Sequence, residues 1–200
     1  MSEMTSLSVL IRKLYQKMTT TGNQAQARLF LSKTVHPSTL INYARVRAKR
    51  GCALSIGESC QIDGSIIFER ENASVIIGKR VFMNGNIISA EKVTIGSDVL
   101  ISWGVTIVDH NSHSLSFSRR ASDVVLWRDQ KKDWSPVKIA PVSISDKAWV
   151  GFNSIILCGV MVGEGAVIGA GSVVTKDIPP WSIAAGNPAK IIREIPIEDR

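Results

Sequence analysis

The chain has 200 residues, of which 44% are hydrophobic and 20% charged, and its formal net charge is +7. No apolar run approaches the roughly 20 residues that a membrane-spanning helix needs, and residues 1–20 lack the apolar core of a signal peptide. The three cysteines, Cys52, Cys60 and Cys158, are too few for a disulfide framework. The composition therefore excludes a helical membrane protein and a disulfide-stabilised secreted domain, and it predicts one globular domain in the cytoplasm.

The N-terminal segment 1–50 differs from the rest of the chain in charge. It holds nine Lys and Arg against one acidic residue, whereas residues 51–200 hold 15 basic and 16 acidic residues. Helices are predicted here because four aliphatic residues share one helical face: Leu7, Leu10, Ile11 and Leu14. Such a segment would cap the open end of a repeat domain, and its charge also suits contact with an anionic glycan or the inner face of a membrane. Nucleic acid is not expected as a partner, because the segment lacks interleaved aromatic residues.

Aliphatic residues recur at every sixth position in the C-terminal half of the chain. The unbroken row is Ile144, Val150, Ile156, Val162, Ile168 and Val174. The same phase holds earlier at Ile77, Met83, Ile95, Ile101 and Ile107, with Ser89 as the one interruption. Ile56 and Ile62 suggest a first, less regular rung. A period of six fits neither an amphipathic helix nor an alternating strand, but it is typical of a parallel β-helix whose rung is made of three short strands.

The hexapeptide pattern stops between residues 109 and 136. This stretch, DHNSHSLSFSRRASDVVLWRDQKKDWSP, is polar and charged and contains two His and two Trp. Insertions between the repeats of a solenoid form loops on one face, which is often the functional face. An ordered loop is favoured over a disordered one because Leu126, Trp127 and Trp134 are costly to expose to water.

Residues 150–195, VGFNSIILCGVMVGEGAVIGAGSVVTKDIPPWSIAAGNPAKIIREI, resemble the C-terminal half of hexapeptide-repeat acyltransferases. With SDVLISWGVTIVDH (97–110) and VFMNGN (81–86), the resemblance covers about residues 75–195 and is strongest to the maltose and galactoside O-acetyltransferases and the polysaccharide O-acetyltransferases. It implies a left-handed parallel β-helix, a homotrimer, and acetyl-CoA bound between subunits. The predicted organisation is a basic helical segment at 1–50, an all-β solenoid at 51–187 with the loop 109–136, and a C-terminal segment at 188–200 containing a short helix.

The chemistry that the resemblance implies is direct acetyl transfer from a thioester to an acceptor hydroxyl or amine. A neutral His is the natural base for the acceptor near pH 7, and both His110 and His113 lie where the loop begins. An ungapped alignment with the family's catalytic loop falls between the two. His110 is favoured because it is nearer the regular rung, which leaves His113 to orient a substrate or bind the thioester end of the cofactor. Trp134 would lie against the acceptor, help hold the oxyanion, or simply anchor the loop. Asn84 matches an Asn near the acceptor site of the galactoside group, although it could instead belong to a stacked amide ladder.

Seven further residues match the family's cofactor positions: Gly151, Phe152, Ala170, Thr175, Lys176, Lys190 and Arg193. The small Gly151 and Ala170 would let the pantetheine arm lie along the backbone. Lys176, Lys190 and Arg193 would meet the phosphates of coenzyme A. The family often has Arg where this chain has Lys190.

These observations predict an acetyl-CoA-dependent O-acetyltransferase that modifies a sugar hydroxyl of a surface polysaccharide or lipopolysaccharide precursor. No acyl-enzyme is expected, because Cys158 lies on a regular rung without a nearby His. An amino-sugar N-acetyltransferase is the alternative reaction, and a non-catalytic trimeric scaffold is the alternative class. No metal is expected: a γ-type carbonic anhydrase has the same fold but needs three His ligands, and the third His here, His36, lies in the basic segment.

Overall fold

The computed structural model of the protein describes residues 31–129 and 131–200. Their strands form three sheets, which we call faces A, B and C, and the strand pairs are parallel except for the last pair of face B. Six successive rungs among these residues each give one strand to each face in the order A, B, C, and two further strands at the C-terminal end extend face B. The predicted parallel β-helix of hexapeptide repeats is therefore confirmed.

The strands are short, and most contain two to five residues. Face A consists of β1 (Leu31–Val35), β4 (Cys52–Ile56), β7 (Ser74–Ile77), β10 (Lys92–Ile95), β13 (Val142–Ile144) and β16 (Met161–Val162). Face B consists of β2 (Leu40–Ile41), β5 (Gln61–Ile62), β8 (Phe82–Met83), β11 (Leu100–Ile101), β14 (Trp149–Val150), β17 (Val167–Ile168), β19 (Ser182–Gly186) and β20 (Ala189–Glu194). Face C consists of β3 (Val46–Arg47), β6 (Ser65–Phe68), β9 (Asn86–Ser89), β12 (Thr106–Val108), β15 (Ile155–Ile156) and β18 (Val173–Val174).

The six-residue period places one aliphatic side chain of each strand inside the solenoid. On face A, Ile77, Ile95, Ile144 and Val162 occupy equivalent positions on successive rungs, and each is buried. Faces B and C contain equivalent columns. Burying one such side chain stabilises the fold by about 1.5–3 kcal/mol, so every rung adds to one continuous core.

The predicted start of the solenoid at residue 51 is too late by one rung. Strand β1 pairs in register with β4, from Leu31 opposite Cys52 to Val35 opposite Ile56. The first rung escapes the six-residue pattern because its buried residues, which include Val46 and Ala48, are not spaced by six. Its basic residues Arg45, Arg47 and Lys49 are exposed and alternate with the buried Val46 and Ala48, so the charge of this part lies on the outer surface of the first rung. The predicted helix at residues 7–14 lies outside the described residues.

The C-terminal segment begins with a strand that the sequence did not predict. Strand β20 runs antiparallel to β19 at the edge of face B. The short predicted helix follows as a single 3-10 turn, Ile197–Asp199. Within residues 31–129 and 131–200, no helix is long and apolar enough to cross a membrane.

Candidate active site

The loop leaves the solenoid at the corner between faces C and A, where β12 ends and β13 has yet to begin. Asp109 anchors it: the carboxylate is fully buried and accepts hydrogen bonds from the Ser89 hydroxyl at 2.8 Å and from the backbone N–H groups of Ala90 at 2.7 Å and Glu91 at 2.9 Å. Ser89 is the one polar residue in the earlier row of inward positions. The interruption in the hydrophobic pattern thus marks the place where the preceding rung holds the root of the loop.

His110 is buried directly after this anchor. Its Nδ1 accepts the backbone N–H of Ser112 at 3.0 Å, so in the neutral ring the proton is on Nε2. That Nε2 is buried without a hydrogen-bond partner in the described part of the chain, 3.5 Å from Oε2 of Glu69. The Trp134 ring packs edge-on against the imidazole, with the ring centroids 5.2 Å apart. Burial lowers the pKa of His110, which keeps the ring neutral at pH 7.

His113 has a different environment at the surface of the loop. Its side chain is 50% exposed, and its Nδ1 lies 2.5 Å from Oδ2 of the buried Asp123. The bonds from His113 and Lys132 hold the pKa of Asp123 below its usual value, so the carboxylate is ionised and accepts the Nδ1–H of His113. Nε2 of His113 then carries the free lone pair, and it makes no hydrogen bond to any residue that the structure describes. A carboxylate that fixes the tautomer in this way leaves the other ring nitrogen ready to accept a proton.

Lys132 links this His–Asp pair to the aromatic residues of the loop. Its ammonium nitrogen lies 3.1 Å from Oδ2 of Asp123, 5.1 Å from the ring centroid of Trp127 and 5.5 Å from that of Trp134. The two indoles are 6.3 Å apart, and Trp127 lies at the same distance from the His113 ring. The described residues of the loop form two short helices, Phe117–Arg120 and Asp123–Arg128, and these side chains pack against one another.

The predicted acceptor residue Asn84 lies at another corner of the solenoid. It follows β8 and precedes β9, so it occupies the corner between faces B and C, whereas the loop leaves from the corner between faces C and A. Its side chain is partly exposed and makes no hydrogen bond within the described residues, which speaks against an amide ladder. A single chain keeps Asn84 apart from both loop histidines.

Three of the predicted cofactor residues lie together at the corner between faces B and C. Phe152 and Ala170 are exposed there on successive rungs, and Phe152 stacks on Trp103 with the rings 5.4 Å apart and only 12° from parallel. Gly151 is buried, and a Cβ at this position would lie 2.8 Å from the backbone of Ala170. The distance between rungs therefore requires this glycine, independently of any bound ligand.

The remaining predicted cofactor residues divide between two places. Lys190 pairs with Ala185 beyond the end of β17, at the corner between faces B and C, and Arg193 lies farther back on the same outer strand, β20. Thr175 and Lys176 are exposed after β18, at the corner between faces C and A. They share this corner with the loop, two rungs farther along the solenoid.

Cys158 lies on the rung between the loop and Lys176. Burial raises the pKa of its thiol, which disfavours the thiolate that a nucleophile requires. Among residues 31–129 and 131–200, no group of three His, Cys, Asp or Glu side chains is arranged to hold a metal ion. His36 lies on the first rung, where Nδ1 bonds to the Ser38 hydroxyl.

Sequence reasoning missed Asp123, Lys132 and Trp103. The first two lie in a loop without periodicity, ten and 19 residues from His113, so no spacing rule connects them. The sequence did contain a signal for Trp103. This residue precedes a corner glycine and lies one rung before Phe152, so the two rings could have been expected to lie close together.

Comparison with known proteins shows which family the chain resembles. The family model for the bacterial transferase hexapeptide (six repeats) matches residues 141–176. The galactoside O-acetyltransferase of Escherichia coli strain K12 is 33% identical over 150 residues, which cover 73% of this chain and 66% of that protein. Another curated relative is matched over 54% of its length, so the chain spans between about half and two thirds of these two proteins.

Two solved structures share both the fold and detectable sequence identity. The polySia-specific acetyltransferase NeuO is 31% identical with a TM-score of 0.65, and the match covers 82% of this chain and 72% of that one. A galactoside acetyltransferase in complex with coenzyme A is 26% identical with a TM-score of 0.53, and the match covers 93% of this chain and 82% of that one. The repeat, the corner loop and these likenesses together show that the chain belongs to the hexapeptide-repeat acyltransferase family.

Proposed function

We propose that the protein is an acetyl-CoA-dependent O-acetyltransferase that modifies a sugar hydroxyl of a surface polysaccharide or lipopolysaccharide precursor. The observation that carries the proposal is the His113–Asp123 pair, which presents an unpaired imidazole Nε2 at the surface of the loop. A base in this position would take the proton of the acceptor hydroxyl during acetyl transfer. Two similar proteins are an acetyltransferase specific for polySia and a galactoside O-acetyltransferase.

The base in this proposal is His113. The sequence favoured His110 instead, because His110 is nearer the regular rung. Both ring nitrogens of His110 are buried, and Nδ1 already accepts the Ser112 N–H. The His110 side chain has no exposed surface, so an acceptor could reach its ring only if neighbouring side chains moved away. His110 is therefore assigned to positioning: its ring supports Trp134, which in turn packs beside Trp127 at the base.

The proposed reaction is a direct transfer in a ternary complex. Nε2 of His113 takes the proton of the acceptor hydroxyl as the oxygen attacks the thioester carbonyl. The tetrahedral intermediate collapses, the C–S bond breaks, and the imidazolium returns the proton to the coenzyme A sulfur. Asp123 stabilises the imidazolium between these steps, and a base of this kind contributes about 10²–10⁴-fold to the rate. The indole N–H of Trp134 makes no hydrogen bond with the described residues and suits the predicted role of an oxyanion donor.

A trimer with sites between subunits is part of the proposal. The candidate cofactor residues divide between the two edges of face C: Phe152 and Ala170 lie at one corner, and Thr175 and Lys176 at the other. Asn84 and the loop are separated in the same way. An interface that brings one edge of face C against the opposite edge of a second copy would unite both sets in one groove for acetyl-CoA and the acceptor. The flat, exposed pair of Trp103 and Phe152 would border that groove.

Thiol release from acetyl-CoA tests the proposed function. The wild type is assayed with neutral sugars, amino sugars, nucleotide-sugars and acidic oligosaccharides, beside His113→Ala and the control His36→Ala, and coenzyme A binding is measured separately. We expect acceptor-dependent release that falls at least 100-fold in His113→Ala and is retained in His36→Ala. Release with amino sugars alone would replace the O-acetyltransferase by an N-acetyltransferase. Failure to bind coenzyme A would leave the scaffold as the better explanation.

A further inference from the structure

A cleft of about 880 Å³ runs along the corner between faces C and A, on the N-terminal side of the loop. Its floor is formed by residues 47–50 of the first rung and 67–72 of the second. Its end wall is formed by Trp127, Lys132 and Trp134 of the loop. The candidate cofactor residues at this corner, Thr175 and Lys176, lie on the opposite, C-terminal side of the loop. The cleft is thus separate from the positions that the family resemblance assigns to coenzyme A.

The cleft contains more positive than negative charge. Five basic residues line it, Arg47, Lys49, Arg50, Arg70 and Lys132, against two acidic residues, Glu69 and Glu71. Arg47, Lys49, Arg50 and Arg70 are exposed and make no ion pair with other residues in the described parts of the chain. Glu69 faces His110, with its carboxylate 3.5 Å from Nε2 of that ring. The cleft can therefore neutralise an anion with cationic groups that the fold itself leaves unused.

The cleft ends near the proposed base. Lys132 lies at its end, 3.4 Å from Nδ1 of His113, and Trp127 beside it is 41% exposed. An indole face of this kind packs well against the apolar face of a sugar ring. The loop leaves from the fourth rung, but Trp127, Lys132 and Trp134 line the same cleft as Arg47, Lys49 and Arg50 of the first rung, so one ligand could contact both sets of residues. A cleft of about 880 Å³ is at the upper end of the range for small-ligand sites, which favours an oligosaccharide over a single sugar.

We propose that this cleft is an acceptor subsite for an acidic oligosaccharide, in which Arg47, Lys49 and Arg50 bind a carboxylate or phosphate group that lies several sugar units from the acetylated hydroxyl. Guanidinium groups bind both kinds of anion through paired N–H donors, and an exposed pair of arginines provides them. Trp127 and Trp134 would hold the sugar nearest the base. The inference rests on the proposed function for its reaction, but the binding that it predicts does not require turnover.

Binding and turnover with defined oligosaccharides test this subsite. The probes are tetragalacturonate, its carboxyl-reduced neutral counterpart, and UDP-N-acetylglucosamine as a phosphate-bearing saccharide. The variant Arg47→Gln/Lys49→Gln/Arg50→Gln is compared with the wild type and with the control Lys79→Gln/Lys92→Gln/Lys147→Gln, which removes the same charge from other exposed positions. All six side chains lie on the surface, so folding is expected to be retained.

We expect the cleft variant to bind tetragalacturonate at least 10-fold more weakly than the wild type, whereas the control variant and coenzyme A binding are unchanged. The neutral oligosaccharide should bind both variants and the wild type alike. The same pattern with the nucleotide-sugar alone would assign the subsite to phosphate. Equal weakening in both triple variants, or none in the cleft variant, would overturn the proposal. Selective binding without any acetyl transfer would leave the subsite in place and contradict the proposed function instead.

Discussion

Removing the carboxylate of Asp109 should destabilise the protein more than any other single change at the root of the loop. This fully buried group accepts three hydrogen bonds, from Ser89, Ala90 and Glu91. Hydrogen bonds to a charged group contribute about 1.5–3 kcal/mol each, and their contributions do not add fully. We therefore expect Asp109→Ala to lower the free energy of unfolding by about 3–5 kcal/mol, because it leaves buried backbone N–H groups without an acceptor.

Asp109→Asn separates the loss of these bonds from the loss of side-chain volume. In the native structure both carboxylate oxygens accept a backbone N–H, one from Ala90 and one from Glu91. An amide has only one oxygen, so its NH₂ group must face one of these donors, and we expect a loss of about 1–3 kcal/mol.

Urea unfolding measured by circular dichroism and by tryptophan fluorescence gives both values. The control is Asp98→Asn, which removes a carboxylate from an exposed ion pair with Arg80 and should change stability little. Wild-type stability in Asp109→Asn, or an equal loss in Asp98→Asn, would refute the assignment of Asp109 as the loop anchor.

Three further predictions follow from the same geometry. Asp123→Asn should lower kcat about 10- to 100-fold without changing the KM for acetyl-CoA, because His113 loses its orienting anion; an equal rise in KM would contradict this role. Burial lowers the pKa of His110 below 6.5, so the unfolded chain takes up that proton first as pH falls. Native stability should therefore decrease as pH falls from 6.5 through the folded-state pKa, and urea midpoints at pH 7.5 and 5.5 should differ less in His110→Phe. Gly151→Ala places a Cβ 2.8 Å from the backbone of the next rung and should cost about 1–3 kcal/mol, visible as a lower Tm; an unchanged Tm would show that rungs can separate freely.

The architecture could be predicted from the sequence because inward side chains stack at a fixed period. Ile144, Val150 and Ile156 each fill one wall of a rung, so the spacing alone indicates three faces. The first rung could not be found in this way: its core residues, among them Leu31 and Val46, follow the local alternation of single strands rather than a six-residue repeat.

The candidate site was only partly predictable, for a related physical reason. The break in the repeat indicated where a loop begins, and its His and Trp residues indicated chemistry there. Which imidazole is accessible depends on the fold of the loop itself, since Asp123 bonds to the exposed His113 while His110 is buried with Trp134 packed edge-on against it. Contacts of this kind depend on tertiary packing and leave no periodic signal in the sequence.

The central claim is that the accessible imidazole of His113 is the base of an acetyl transfer. The most direct test compares acetyl-CoA turnover in His113→Gln and His110→Gln under saturating acetyl-CoA, with an acceptor that the wild type uses. We predict that His113→Gln loses at least 100-fold in kcat while it still binds coenzyme A, and that His110→Gln keeps a larger share of the activity. The reverse order, with His113→Gln the more active enzyme, would contradict the account and return the role of base to His110.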